Sequence, residues 1–156
     1  MTETDPVHLS FVCTGNICRS PIAAIVFREH LRRAGLAERV KVTSAGTGPW
    51  HIGEQADHRA RAVLAEHGYP VEHIAAQVGP AHSDADLFLA LDAGHQRELR
   101  RLVTGEVRLL RSFDPNAGAD LDVPDPYYGG RADFAEVLGM VEAAVPGLLD
   151  WVRKKL

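Results

Sequence analysis

The sequence predicts an α/β fold: a parallel sheet of four strands, helices on both of its faces, and a tight loop between the first strand and the first helix. Short apolar runs alternate with longer stretches of helical spacing from residue 7 to residue 110, the β-α repetition that parallel sheets require. The first run passes without a linker through "CTGNIC" into a helix opening on "RSP", a strand, turn and helix in immediate succession. The length of 156 residues suits one domain, residues 1–156, with a core large enough to need no disulfide or metal staple.

Each element follows from its own residues. "VHLSFVC" (7–13) alternates Val7, Leu9 and Phe11 with other residues and ends in a Gly-containing turn, as a buried strand does. The next stretch, 20–35, carries Ile22, Ile25, Val26 and Leu31 at helical spacing; Ser20 suits the N-cap, Pro21 the first turn and Gly35 the stop. "RVKVTSAG" (39–46) reads as the second strand, 54–68 as a helix closed by Gly68, "DLFLALD" (86–92) as the third strand and 93–103 as a helix whose cap is Asp92. "VRLL" (107–110) is a short fourth strand. The segment from Ser112 to Arg131 is rich in Pro, Gly and Asp, lacks periodicity and is long for a connection, a length that often accompanies function. A last helix begins near "DFAE", where Asp133 and Glu136 have capping-box spacing. Its stripe is Phe134, Val137, Leu138, Val141, Val145, Leu148 and Leu149, with Pro146 expected to kink or interrupt it.

Composition excludes several classes. Hydrophobic residues make up 46% and charged residues 24%, an ordinary globular balance. A net charge of −4 gives no general attraction for nucleic acid, so any anion site must be local. No apolar run has the length of a membrane span and residues 1–8 lack a basic leader, so no membrane partner is expected. The expected compartment is cytoplasmic, with export lacking a signal peptide left open. Two cysteines make neither a disulfide framework nor a structural zinc site, and no metal or other cofactor is expected.

Both cysteines, Cys13 and Cys18, fall instead in one six-residue window at the carboxyl end of the first strand, where open α/β sheets bind ligands. Gly15 and Asn16 are the residue types that most easily take positive φ, so the loop Thr14–Gly15–Asn16–Ile17–Cys18 can curl. A curled loop feeding a helix N-terminus turns backbone N–H groups inward and makes a cradle for a tetrahedral dianion such as phosphate. Arg19 offers a planar fork for two of its oxygens. The same field favours a sulfur anion, so Cys13 suits in-line attack on phosphorus, with a phosphocysteine intermediate then hydrolysed by water. Expelling an aryl oxygen calls for a carboxylic acid, and the long loop offers Asp114, Asp120, Asp122 and Asp125, among which chemistry alone does not choose.

"VCTGNICRSP", together with "DPYYGG" at 125–130, resembles the paired signatures of the low-molecular-weight protein tyrosine phosphatases, over essentially the whole chain. The resemblance implies cofactor-free hydrolysis of phosphotyrosine in a phosphorylated protein, with Cys13 as nucleophile, Arg19 as phosphate clamp and Asp125 as proton donor. It implies that Asn16 and Ser20 stiffen the loop with Ser44 and His73, one of eight histidines. It places Trp50, Tyr127 and Tyr128 as pocket walls. In relatives the tyrosines are also phosphorylated. Cys18 is either a small packed thiol or, as the resemblance implies, a reversible disulfide partner of Cys13 that shields it from over-oxidation. Three alternatives remain. An arsenate reductase of this fold needs a further cysteine far along the chain, and none follows Cys18. A protein arginine phosphatase resembles this chain except that its relatives carry Thr where Ile17 stands. A non-catalytic phosphotyrosine-binding module would retain the cradle without the chemistry.

Overall fold

The computed structural model describes residues 6–156. Four strands, β1 (Val7–Cys13), β2 (Val40–Gly46), β3 (Leu87–Ala90) and β4 (Val107–Leu109), form one parallel sheet in the order β2-β1-β3-β4. Four helices accompany them: α1 (Arg19–Arg33), α2 (His58–Glu66), α3 (Ala93–Leu102) and α4 (Arg131–Lys155). The expected sheet, element order and loop position are all present. None of the helices described is long and apolar enough to cross a membrane.

Side-chain alternation divides the core between the two faces. Leu9, Phe11, Leu87 and Leu89 point to the side where α1, α2 and α4 lie, packing with Phe27, Leu64 and Phe134. Val12, Phe88 and Ala90 point the other way and meet Leu99 of α3. Because β2 and β3 flank β1 on opposite sides, the chain order reverses at the carboxyl end of β1, which opens a crevice there. Cys13 is the last residue of β1 and borders that crevice.

Several boundaries differ from the sequence expectation, each because a residue is engaged elsewhere. Ser20 is not the N-cap of α1; Cys18 holds that position without a side-chain cap bond, and the Ser20 hydroxyl is occupied within the loop. Helix α2 starts at His58 rather than Glu54, because the main chain before it bonds outward: Asp57 N–H to the Ile17 carbonyl (2.8 Å) and Ala75 N–H to the Glu54 carbonyl (2.8 Å). Asp57 caps the helix. Strand β3 stops at Ala90, two residues early. Asp133 is not the N-cap of α4 but its third helical residue, its carboxylate reaching back to the N–H of Gly130 (2.8 Å). Pro146 does not interrupt α4, which runs on to Lys155. Its buried stripe, from Phe134 to Val152, gains more from packing than one lost backbone bond costs. Gly35 and Gly68 stop their helices as expected, at φ +74° and +80°.

The long segment after β4 is pinned rather than loose. The Arg111 guanidinium donates to the carbonyls of Asp120 (2.8 Å) and Asp122 (3.0 Å), and the N–H of fully buried Val123 bonds the Leu91 carbonyl at the end of β3 (2.8 Å). These ties carry Asp125 to the crevice beside Cys13.

Candidate active site

Between β1 and α1 the chain curls once, and Asn16 takes the left-handed turn at φ +58°. Gly15 stays out of that region. Its value is space: a Cβ there would stand 2.8 Å from the His51 ring. Gly46 serves similarly, since a methyl on it would lie 2.6 Å from the Thr14 carbonyl oxygen. Asn16 is fully buried, with its side-chain amide and its carbonyl bonded. Its Nδ2 donates to the hydroxyls of Ser20 (2.8 Å) and Ser44 (3.0 Å), its Oδ1 accepts from the Ala76 N–H (2.9 Å), and its carbonyl accepts from His73 Nε2 (2.6 Å). A carbonyl only accepts, so His73 carries its proton on Nε2. Burial, outweighing that bond, lowers its pKa and keeps the ring neutral. All four residues expected to stiffen the loop therefore meet in one network.

Among the described residues, no main-chain N–H from Thr14 to Cys18 donates to a protein acceptor. Five donors in one short curl are thus without a protein partner. Cys13 Sγ lies 2.9 Å from the Ser20 hydroxyl. That oxygen already accepts from Asn16, leaving its proton to donate to the sulfur. Cys18 is different. Burial first, and the Asp57 carboxylate second, push its thiol up to about 12, so it is a protonated, packed group, and both cysteines are free thiols.

Arg19 is 4% exposed and tightly held. Its Nη1 donates to Asp92 Oδ2 (2.9 Å) and to the Val123 carbonyl (2.9 Å), while Nη2 stands 3.8 Å from Asp125 Oδ2. Asp92 caps α3, as the sequence suggests, by accepting from the His95 N–H (2.9 Å), and also orients the guanidinium. Burial works against its charge, but the His95 N–H and Arg19 outweigh that and its carboxyl lies below the usual value.

Cys13, Thr14, Gly15, Ile17, Cys18 and Arg19 line a cavity of about 230 Å³ with Trp50, His51, Asp125, Tyr127 and Tyr128. Trp50 is 68% exposed, a rim residue rather than a core one. Tyr127 and Tyr128 stand edge to face, 4.9 Å between ring centres. Of the four loop aspartates, Asp125 alone lines the cavity. Asp114 and Asp120 bond their own turns and Asp122 holds the Ala93 N–H. Asp125 Oδ1 accepts from the Tyr127 N–H (3.0 Å), which leaves Oδ2 toward the opening.

Two contributors escaped the sequence reading. His51 lines the cavity, and its only signal was adjacency to Trp50. His95 is buried behind the loop, its Nε2 2.8 Å from the Thr14 hydroxyl, and no local pattern distinguishes it from a solvated helix residue. Burial, then the Arg19 charge, lower its pKa to about 4. Between that value and 6.5 the unfolded chain binds a proton that the folded protein refuses, so stability falls as pH drops through this window. The loss attributable to His95 at its acid end is ~3 kcal/mol. Burial also lowers His8, His73 and His82, which act with the same sign. Urea unfolding at pH 7.5 and pH 5 measures the effect, and His95→Gln is expected to narrow the difference between the two midpoints.

Comparison with known proteins agrees with this geometry. Residues 8–156 match the family described as low molecular weight phosphotyrosine protein phosphatase. The chain is 60% identical over 156 residues to the low molecular weight protein-tyrosine-phosphatase of Streptomyces coelicolor, covering 96% of this chain and 95% of that one. It is 57% identical over 156 residues to low molecular weight protein-tyrosine phosphatase A of Mycobacterium tuberculosis, covering 98% and 96%. A crystal structure of a protein tyrosine phosphatase from Entamoeba histolytica superposes with a TM-score of 0.89 at 34% identity, over 96% of this chain and 99% of that one. With the match spanning residues 8–156 and relatives 57–60% identical over nearly the whole chain, the chain belongs to the low molecular weight phosphotyrosine protein phosphatase family.

Proposed function

We propose that this protein hydrolyses phosphotyrosine in phosphorylated proteins through a phosphocysteine intermediate. The observation that carries this reading is the position of Cys13 at a cavity shared with Thr14, Gly15, Ile17 and Cys18, whose amides have no protein partner, and with Arg19 and Asp125. The phosphoryl group sits in the cradle, its oxygens held by the loop N–H groups and by the face of Arg19 not engaged with Asp92. Cys13 Sγ attacks phosphorus in line. As the S–P bond forms, the bond from phosphorus to the tyrosine oxygen breaks, and the Asp125 carboxyl delivers its proton to that oxygen. The Asp125 carboxylate then takes a proton from water as the water oxygen attacks phosphorus. Phosphate leaves and the thiolate returns. Each charge that develops is met by a group of this chain, so the mechanism calls on no metal or cofactor.

Trp50, Tyr127 and Tyr128 offer flat walls to an aryl ring, and the apolar Ile17 at the cavity favours that ring over a guanidinium. The test is hydrolysis of phenyl phosphate and of a phosphotyrosine peptide with a chelator present, beside an arginine-phosphorylated peptide. Turnover of the first two and not the third is expected. Activity confined to the arginine peptide would replace the substrate. Asp125→Asn is expected to lower kcat/KM for phenyl phosphate about 10²-fold, the lower end of what a general acid contributes.

A further inference from the structure

The proton donor sits on a turn whose own bonds are local: Tyr127 N–H to Asp125 Oδ1, and Gly129 N–H to the Pro126 carbonyl (2.8 Å). Neither ties the turn to the phosphate cradle. Arg19 reaches the segment from one side, through the Val123 carbonyl (2.9 Å) and at 3.8 Å from Asp125 Oδ2, and a second arginine holds the far end of the turn from the other. The Arg59 guanidinium donates from Nη1 to the Gly129 carbonyl (2.8 Å) and lies over the Tyr127 ring, 5.8 Å from its centre. Its other edge is clasped by the Asp57 carboxylate, Nε to Oδ1 at 3.0 Å and Nη2 to Oδ2 at 2.9 Å. The main-chain N–H of Asp57 bonds the carbonyl of Ile17 in the cradle (2.8 Å).

We propose that Arg59, held by Asp57, is a positioning residue that sets the height of the Asp125 turn above the phosphate cradle. This rests on Asp125 as proton donor. One planar fork spans two loops far apart in sequence, a task for which arginine is suited and lysine is not, because only the guanidinium bonds on two edges at once. The proton passes from the Asp125 carboxyl to the aryl oxygen while the bond from that oxygen to phosphorus breaks. A shift of the turn by about 1 Å is enough to spoil such a transfer about 10²-fold. The cost falls on substrates whose leaving oxygen needs the proton.

The experiment compares kcat/KM, which reports formation of the phosphoenzyme, for phenyl phosphate and 2,4-dinitrophenyl phosphate, whose leaving group departs unprotonated. Arg59→Met keeps an apolar stem beside Phe134, over whose ring the guanidinium carbon lies at 4.7 Å, and removes the donors. It is expected to lower kcat/KM for phenyl phosphate roughly tenfold or more, and for the dinitrophenyl ester less than about threefold. Inhibition by inorganic phosphate, which reports the cradle alone, is expected to stay within about twofold. Arg59→Lys should recover only part of the loss. Asp57→Asn, which retains a helix cap, should reproduce the same selectivity more weakly, and decides the question should Arg59→Met fail to fold.

Equal losses on both esters, or none, in a variant with normal phosphate inhibition would overturn the role of Arg59 while Asp125→Asn still shows selective loss. An Asp125→Asn variant that loses equally on both esters would instead remove Asp125 as the donor, and the role of Arg59 with it.

Discussion

Cys13→Ser is expected to abolish turnover of aryl phosphates, lowering kcat by at least about 10⁴-fold, the scale seen when a covalent nucleophile is removed. A hydroxyl in place of the thiol is nearly isosteric, and the position is 3% exposed at the end of β1, so the fold and loop should survive. What is lost is the nucleophile. No base stands beside residue 13 to take a serine proton, since the Ser20 oxygen accepts from Asn16 and presents its own proton toward Cys13. Inorganic phosphate should therefore still bind to the variant, measured by calorimetry, while rapid acid quench of the parent protein should trap phosphate on Cys13. Turnover within tenfold of the parent would remove the phosphocysteine mechanism.

Arg19→Ala should fail differently, losing binding and chemistry together. A guanidinium supplied to a transferring phosphoryl group is worth about 10³–10⁵ in rate, and phosphate inhibition should weaken in parallel because the clamp acts on the bound anion too. The side chain also holds Asp92 and the Val123 carbonyl, so its removal leaves a half-buried carboxylate and a buried carbonyl without their donor. A loss of stability on the order of 2 kcal/mol follows. Arg19→Lys restores the charge but not two edges of donors, and is expected to remain about 10²-fold down. Retained phosphate affinity in Arg19→Ala would show that the amides alone hold the anion.

Legibility of the site tracked how local its physics is. Cys13, Gly15, Asn16 and Arg19 stood out because a strand end, a positive-φ position and a helix start are each set by neighbouring residues. Ser44 and His73 were reached through resemblance alone, and resemblance alone chose Asp125 among the four loop aspartates that chemistry offered. The bonds of Ser44 and His73 to Asn16, and Asp125's approach to Arg19, span separations that no local pattern encodes. Asp92 was read as a cap, which it is, but a cap has two oxygens and the sequence says nothing of what the second one meets. Element boundaries slipped because Ser20, Asp57 and Asp133 are all good caps in principle and competing bonds decided between them. The loop takes the Ser20 hydroxyl, Asp133 reaches back to the Gly130 N–H, and the Asp57 N–H bond to the Ile17 carbonyl fixes where α2 begins.

By itself the sequence determined the class of fold and the curled loop between the first strand and the first helix, because alternating apolar periods and one glycine- and asparagine-bearing turn act over a few residues. Only the tertiary structure decided which aspartate shares the cavity with Cys13 and what anchors its turn. Arg111, Val123 and Arg59 do so through carbonyls that every residue carries, and a carbonyl has no signature in the sequence.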